Sequence, residues 1–390
     1  MTAEAVRSTR RAIRRARAKR PDAPLYVTGC AATIDPAGFA GMAEVDHVVP
    51  NATKLAPASW GATRLPVLPA FTGHARAFVE VQNGCDHSCT FCIIPAGRGQ
   101  SRSLPAGGVI EHIQALVDAG HREVVLTGVD LTSYGPDLPG QPTLGALVQR
   151  ILAHVPRLER LRLSSLDSIE IDDALFEVLT GEDRVMPHVH LSLQAGDDMI
   201  LKRMKRRHAR ADSIRIVERL KAARPNIAIG ADLIAGFPTE TSEMFTNTAR
   251  LIEDCDIVLA HIFPFSPRET TPAARMPQVD PLVVRERAAE LRALGEARKA
   301  KWLASLIGST QRVLVERPGD NGHAENFAPV RFPLPSPPSP RRRPGSTSPL
   351  EQEARWTPAF AGVTDEDVLG TVIPIRINAS DGATITGIPA

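Results

Sequence analysis

The sequence has few cysteines and no long apolar run, and each scarcity excludes a class of protein. Only five cysteines occur among 390 residues, and three of them fall within eight positions. That crowding suits a reducing compartment and a metal site rather than a disulfide framework. No stretch of about 18 apolar residues occurs, which excludes a membrane-spanning helix. Residues 1–20 also lack the apolar segment of a secretory signal, so we expect a cytoplasmic protein with no membrane partner.

Net charge is also small, at +2, but the basic residues are unevenly placed. Residues 1–20 contain eight lysines and arginines against a single acid, Glu4, and a second basic cluster spans 202–210. Such patches attract phosphate backbones and make binding sensitive to salt. Two alternatives stay open: either run is a solvated helix face, and the arginine-rich start is also typical of an organellar transit peptide.

The three clustered cysteines, Cys85, Cys89 and Cys92, have the spacing C-x3-C-x2-C. Three thiolates on one short loop can hold three irons of a [4Fe–4S] cube and leave the fourth iron open to a small chelating ligand. A structural zinc site needs four nitrogen or sulfur ligands, whereas a catalytic zinc with three ligands stays open as an alternative. Cys255 matches no such spacing and is expected to be a core cysteine.

Strand and helix signals alternate between about residues 76 and 265. The predicted strands are 77–81, 123–126, 160–163, 188–193, 227–233 and 257–263, and the predicted helices are 106–119, 143–154, 172–180, 209–223 and 240–253. This alternation predicts parallel strands joined by right-handed crossovers, as an open doubly wound sheet or an incomplete βα barrel. The cysteine loop directly follows the first strand, at the end where both folds place their sites.

The flanking segments have other patterns. A basic helix at 3–20 and short strands at 25–28 and 46–49 predict part of a small α/β domain at 1–60, followed by a linker at 61–75. The main domain, 76–308, ends in a long helix at 280–306. Period-two strands at 311–316, 323–330, 368–377 and 384–387 predict a small antiparallel barrel at 309–390. A proline-rich stretch at about 333–364 interrupts it, and this composition predicts a disordered insertion.

Several segments together resemble the radical S-adenosylmethionine (SAM) methylthiotransferases. They are the cysteine motif, I-I-P-A-G-R-G-Q-S-R-S (93–103), H-L-S-L-Q-A-G-D-D (190–198), D-L-I-A-G-F-P-T-E-T (232–241) and H-I-F-P-F-S-P-R (261–268). The resemblance implies an α/β fold: a partial (βα)6 barrel, preceded by the remnant of a small α/β domain and followed by a TRAM-like RNA-binding β-barrel. G-V-D-L-T-S-Y-G (128–135) and G-H-A-E-N-F-A-P-V (322–330) look most like the enzymes that add a methylthio group to C2 of N6-threonylcarbamoyladenosine at position 37 of tRNA.

This resemblance also implies cofactors, partners and site residues. Cys85, Cys89 and Cys92 would hold the [4Fe–4S] cluster, with SAM on its open iron. The implied SAM contacts are Phe91, Ile234 and Gly236 near the adenine, Thr127 and Gly128 near the amino group, Ser192 and Gln194 near the ribose or carboxylate, and Arg206 near the carboxylate. Ordinary strand packing, or for Arg206 a solvated helix end, stays open as the alternative for each. The implied partners are tRNA and a reducing electron donor such as a flavodoxin or ferredoxin; the sulfur donor stays undetermined.

One departure from the family concerns a second cluster. The family holds a sulfur-carrying [4Fe–4S] cluster on three further cysteines, and only Cys30 matches one of them, as a possible remnant ligand. We therefore expect a truncated or misassigned start. Two other hypotheses stay open: a methylthiotransferase for isopentenyladenosine in tRNA or for an aspartate of a ribosomal protein, and a truncated remnant that at most cleaves SAM or binds RNA.

Overall fold

The computed structural model describes residues 3–54, 56–63, 74–333 and 368–390. Most of the predicted linker, 64–73, and nearly all of the predicted insertion, 334–364, lie outside the described residues. Within the described part of the chain, no helix is both long and apolar enough to cross a bilayer.

The N-terminal segment is a small α/β unit. It consists of α1 (Ala3–Lys19), β1 (Tyr26–Thr28), α2 (Cys30–Ile34), α3 (Pro36–Ala40) and β2 (His47–Val49). β1 and β2 pair in parallel, and Ile13, Val27 and Phe39 form a small buried core between them and α1. Most arginines of α1 lie on its outer side, so this helix presents a basic surface.

The main domain is built from parallel strands. These are β3 (Arg76–Glu80), β6 (Glu123–Thr127), β7 (Arg160–Leu163), β8 (Ser165–Leu166), β9 (His188–Gln194), β10 (Ala228–Ala235) and β11 (Ile257–Pro264), with a short antiparallel pair, β4 (Gln82–Asn83) and β5 (Arg102–Ser103), after β3. The strand order is β3-β6-β7 in one sheet and β8-β9-β10-β11 in the next. Along the chain only Ser164, between β7 and β8, separates the two sheets. Because spatial order follows chain order without a reversal, this is the predicted incomplete barrel and not a doubly wound sheet.

Helices cover the outside of this barrel. They are α4 (Ile94–Arg98), α5 (Ala106–Asp118), α6 (Leu144–His154), α7 (Asp173–Gly181), α8 (Asp198–Met204), α9 (Arg210–Ala223), α10 (Ser242–Asp254) and the long α11 (Pro281–Ser305). Side chains of Thr143, Asp172, Asp197 and Thr241 accept hydrogen bonds from first-turn amides and so fix where four of them begin. Cys255 is buried in the core between strands and helices, as expected.

Strand alternation determines which side chains face the barrel lumen. On β9, Val189, Leu191 and Leu193 belong to the core beneath the helices. His188, His190, Ser192 and Gln194 therefore face the lumen, because successive side chains of a strand point to opposite sides. The lumen face of this strand is polar along its whole length.

The C-terminal segment is a closed barrel of β12 (Thr310–Glu316), β13 (Asn321–Ala324), β14 (Pro329–Arg331), β15 (Val372–Ser380) and β16 (Ile385–Pro389). The prediction of one strand over 323–330 is wrong, because the chain turns there, with Phe327 at a φ of 69°. The strand predicted to start at 368 starts at Val372, after a turn in which Gly370 has a φ of 76°.

The turn between β13 and β14 closes the lower end of the lumen. The ring of Phe327 lies 5.0 Å from the ring of His188 and 4.6 Å from that of His323, and the Arg162 guanidinium lies 5.0 Å above it. Arg162 also donates hydrogen bonds to the carbonyl oxygens of Ala324 and Glu325, at 2.9 and 2.8 Å. The C-terminal barrel is thus joined to the main domain by polar and aromatic contacts.

Candidate cluster and cofactor site

The cysteine loop leaves the sheet just after β4 and is shaped by Gly84. This residue has a φ of 83°, and a Cβ on it would lie 1.8 Å from the carbonyl oxygen of Gln100. Only glycine fits such a close approach in the left-handed region. The next residue, Cys85, donates its N–H to the Gly99 carbonyl at 3.1 Å, so both ends of the loop are tied together.

Each of the three sulfurs has a hydrogen-bond donor beside it. The His87 amide donates to Cys85 Sγ and the Ile94 amide donates to Cys92 Sγ, both at 3.4 Å. The Arg206 guanidinium lies 3.8 Å from Cys89 Sγ. Donors aimed at sulfur suit thiolate ligands, whose negative charge they stabilise.

Burial governs the protonation of these thiols in the metal-free protein. It raises the pKa of Cys85 to about 12 and also raises the pKa of Cys92. The thiols of Cys85 and Cys92 therefore keep their protons at neutral pH until a metal ion displaces them. Three partly buried thiols on one loop, with a donor at each sulfur, fit three irons of a [4Fe–4S] cluster.

A polar network borders Cys85 on the other side. The Cys85 thiol donates to Asp130 Oδ2 at 3.5 Å, and His87 Nε2 lies 2.8 Å from the same oxygen. Arg207 lies 3.0 Å from His87 Nε2 and is ion-paired with Glu170 at 2.8 Å. Burial would raise the pKa of Asp130, but the His87 contact outweighs it and the pKa is lowered. These residues follow different strands, so nothing in their sequence spacing marks them as neighbours.

A cavity of about 210 Å³ opens beside Cys92. It is lined by Phe91, Cys92, Ile93, Ile94, Ile234, Phe263, Pro264, Phe265, Ser266 and Arg268. Phe91 packs edge-on against Phe237 with centroids 6.3 Å apart, which fixes the position of its ring. An apolar cavity with one cation at its border fits a flat heteroaromatic ligand such as a purine.

Arg268 was not predicted from the sequence as a site residue. Its Nη2 is buried and has no hydrogen-bond partner in the described part of the chain. Burial lowers its pKa, as expected for a desolvated cation. Its place just after β11, at the same end as the cysteine loop, is the signal that strand-end reasoning could have used.

The predicted residue Arg206 is held inside the protein. Its guanidinium donates to Asp167 at 2.8 Å and to the Ser192 carbonyl at 2.9 Å, and its side chain is 8% exposed. The alternative of a solvated helix end is therefore wrong for this residue. Asp167, which the sequence analysis missed, is the partner that orients it.

The other predicted residues lie in two groups. Thr127 is the last residue of β6 and Gly128 follows it. A Cβ on Gly128 would lie 3.0 Å from Gln82 Oε1. Ser192 and Gln194 lie on the lumen face of β9. A Cβ on Gly236 would lie 2.5 Å from Val284 Cγ2, so this glycine leaves room for α11.

Cys30 begins α2, which packs against α4 shortly after Cys92. Arg98 Nε lies 3.0 Å from Cys30 Sγ, and Asn51 Nδ2 lies 3.7 Å from it. Asn51 also donates to the Gly97 carbonyl at 2.6 Å. The N-terminal unit is thereby joined to the segment that follows the cysteine loop.

Comparisons with known proteins agree with this geometry. The model of the Radical SAM superfamily matches residues 79–252. Threonylcarbamoyladenosine tRNA methylthiotransferase MtaB of Rickettsia prowazekii (strain Madrid E) is 47% identical over 347 residues, which cover 85% of this chain and 82% of that protein. MtaB of Bacillus subtilis (strain 168) is 34% identical over 342 residues, covering 82% and 76%.

Among solved structures, coproporphyrinogen III oxidase (HemN) from Escherichia coli, described as a radical SAM enzyme, matches with a TM-score of 0.43 and 13% identity over 59% of this chain and 54% of that chain. The cofactors expected from the cysteine motif, a [4Fe–4S] cluster and SAM, are those of the superfamily, so the zinc alternatives are not retained. The sequence relatives confirm the predicted family: the chain is a radical SAM methylthiotransferase that belongs to the family of threonylcarbamoyladenosine tRNA methylthiotransferases.

Proposed function

We propose that this chain transfers a methylthio group to C2 of N6-threonylcarbamoyladenosine at position 37 of tRNA. The observation that carries the proposal is 47% identity to an enzyme of that name over 82% of its length. The three-cysteine loop and the adjoining cavity supply the chemistry that such a transferase needs. No feature of the described residues favours isopentenyladenosine or a ribosomal protein as the substrate.

In this proposal Cys85, Cys89 and Cys92 would hold the cluster, and SAM would bind beside it. With one electron from the flavodoxin or ferredoxin, the two cofactors would supply radical chemistry. The amides of His87 and Ile94, with Arg206, stabilise negative charge on the ligand sulfurs. The protein thus positions the cofactors and tunes their charge, while the cofactors perform the difficult step.

The SAM molecule would extend from Cys92 into the apolar cavity. Phe91 and Ile234 would border its adenine, with Arg268 at the edge. Thr127, Gly128, Ser192 and Gln194 would contact its amino, carboxylate and ribose groups. Gly236, which packs on Val284, would also lie near the adenine.

The flanking units would bind the other partners. We propose that the C-terminal barrel, 309–390, contacts tRNA next to the main domain at 76–308. The N-terminal unit, 1–60, would contribute Cys30 to a second, sulfur-carrying cluster. A flavodoxin or ferredoxin would supply electrons in the cytoplasm.

The test combines metal analysis with product analysis. After anaerobic reconstitution, about four irons and four sulfides per chain are expected for the cluster of the cysteine loop, and Cys85→Ala, Cys89→Ala and Cys92→Ala should each lose them. Cys255→Ala, a buried cysteine away from the site, is the matched control and should keep them. Methylthiolated threonylcarbamoyladenosine in digested tRNA confirms the function. SAM cleavage without that product, despite an added sulfide source, would instead indicate the truncated remnant.

A further inference from the structure

Three polar side chains cross the barrel lumen outside the cavity described above. They belong to neighbouring strands: His190 to β9, Asp232 to β10 and His261 to β11. His190 Nε2 lies 2.9 Å from Asp232 Oδ1, and His261 Nδ1 lies 3.4 Å from the same oxygen. The same carboxylate oxygen therefore accepts a hydrogen bond from His190 and lies within ion-pair distance of His261.

This trio lies one layer below the cofactor cavity. Ile234 and Phe263, which line the cavity, follow Asp232 and His261 by two residues on the same strand faces. Two residues of strand span roughly 7 Å. On the opposite face of β11, Ala260 packs toward Gly295 of α11, which confirms that His261 faces the lumen. The trio lies between the cavity and the lower closure at Phe327.

The orientation of the trio is determined by its surroundings. A Cβ on Gly230 would lie 2.5 Å from His190 Nδ1, so a glycine is required for the imidazole to lie flat against β10. With Nδ1 directed at the backbone, Nε2 of His190 is the nitrogen that reaches Asp232. Asp232 then holds His261 by its Nδ1, and His261 Nε2 has no partner among the described residues.

The trio differs from an ordinary buried network in its exposure. The side chains of His190 and Asp232 are 10% and 22% exposed, whereas that of His261 is 61% exposed. The buried members therefore serve to orient one accessible imidazole. Hydrogen bonding to Asp232 raises the pKa of His261, so its protonated form, with N–H groups on both nitrogens, is stabilised.

We propose that His261 donates a hydrogen bond from Nε2 to a ring nitrogen of the target adenine, next to the carbon that receives the methylthio group. This inference rests on the proposed function. Adenine N1 and N3 both flank C2 and both accept hydrogen bonds, so a cationic donor at either nitrogen withdraws electron density from C2. Asp232 and His190 act as positioning residues. The next titratable groups below are His188 and Arg162, and burial holds the pKa of His188 well below its ordinary value.

The test uses the cluster-loaded full chain with SAM and no reductant, so that binding is measured without turnover. The probes are three fluorescent anticodon stem-loop RNAs: one with threonylcarbamoyladenosine at position 37 and two with its 1-deaza and 3-deaza analogues. We expect one deaza analogue to bind the wild type about tenfold more weakly, the usual effect of losing a charge-assisted hydrogen bond. His261→Ala should bind the natural RNA about tenfold more weakly and should no longer discriminate against that analogue.

Two further variants keep the result interpretable. His154→Ala removes an exposed histidine of α6 and should behave as the wild type, whereas Asp232→Asn should lose most of the discrimination while keeping its iron. Equal discrimination by the wild type and His261→Ala, or none by the wild type, would overturn the inference and leave the proposed function standing. The same three atoms also make a two-histidine, one-carboxylate metal set. A divalent ion beyond the cluster iron that disappears in Asp232→Asn would overturn the hydrogen-bond role.

If the wild type binds the threonylcarbamoyl RNA no better than an unmodified stem-loop, the proposed function itself fails. If the tRNA assay gives methylthiolated product and the binding assay shows no discrimination against the deaza analogues, the inference about His261 fails and the proposed function stands. Either result can be read from the same protein preparation.

Discussion

At the scale of single residues, the site depends on charges that are neutralised inside the protein. Arg206 reaches Cys89, Asp167 and the Ser192 carbonyl at once. Arg207, its neighbour in sequence, is 43% exposed and pairs with Asp167 and Glu170. Two adjacent arginines that look alike in the sequence therefore have different roles, and only the structure distinguishes them.

Replacing Arg206 by alanine should lower the free energy of unfolding by about 1–3 kcal/mol, because the buried Asp167 carboxylate loses its buried partner and keeps only the partly exposed Arg207. Iron content should fall as well. Urea unfolding of the metal-free protein and an iron assay measure the two effects. Arg207→Ala is the control and should cost less than about 1 kcal/mol, as exposed ion pairs do. Equal losses in both variants would contradict the assignment.

Asp232 should make stability depend on pH in the acid range. Burial would raise its pKa, but hydrogen bonds from His190 and His261 outweigh burial and lower the pKa from 3.8 to about 2. The stabilisation, about 2 kcal/mol, is fully present above pH 3.8 and is lost as the pH falls through 2. The difference in unfolding free energy between the wild type and Asp232→Asn should therefore shrink below pH 4. Asp173→Asn, at a site that is 97% exposed, should show no such change.

At the scale of elements, loops after the strands carry the chemistry and glycines fix their paths. Gly84 accepts a close backbone approach that no other residue allows. Gly120, at the turn before β6, has a similar φ of 97° but open space around the Cβ position. Substitutions at these two glycines therefore distinguish the effect of a steric clash from the effect of backbone strain.

Gly84→Ala should abolish most iron binding, because the new Cβ would displace the Gln100 carbonyl and open the cysteine loop. Gly120→Ala should retain iron and lose about 1 kcal/mol of stability from the left-handed conformation alone. Iron per chain after reconstitution is the measurement. Full iron content in Gly84→Ala would show that the loop tolerates the change.

Sequence patterns predicted the elements better than the site. The strand over 160–163 was predicted with its observed bounds. Its four side chains are apolar or long and are buried on both faces, which makes so short a segment recognisable as a strand. The region 323–330 was predicted as one strand, since nothing local shows that Phe327 adopts a positive φ. The three cysteines were predicted from their spacing in the sequence, whereas only the tertiary structure shows that Asp167 and Arg268 lie at the site. Gly236 was predicted as a SAM contact, and its proximity to Val284, on a helix 48 residues later, is visible only in the structure.

At the scale of the whole molecule, a buried ionic cluster joins the main domain to the C-terminal barrel. Glu123 is fully buried among Arg76, Arg160 and Arg162, and Arg160 donates to the Arg312 carbonyl of β12 at 3.1 Å. Burial would raise the pKa of Glu123, but the arginines outweigh it and the pKa is lowered. This carboxylate therefore holds arginines that also contact the C-terminal barrel.

Glu123→Gln should leave the buried Arg160 and Arg162 without their counter-charge and destabilise the protein by about 3–5 kcal/mol. We expect the C-terminal barrel to unfold first, seen as a second transition in differential scanning calorimetry. Glu159→Gln, which removes a partly exposed partner of Arg122, should leave a single transition. A single transition in Glu123→Gln at an unchanged midpoint would contradict the role of this cluster.

The position of Phe327 has a consequence for access to the lumen. Its ring stacks on His188 of β9 and on His323 of β13, so a turn of the C-terminal barrel lies against the end of the lumen opposite the cysteine loop. We therefore expect ligands of the lumen to enter at the cysteine-loop end or through the gap between the edge strands β3 and β11.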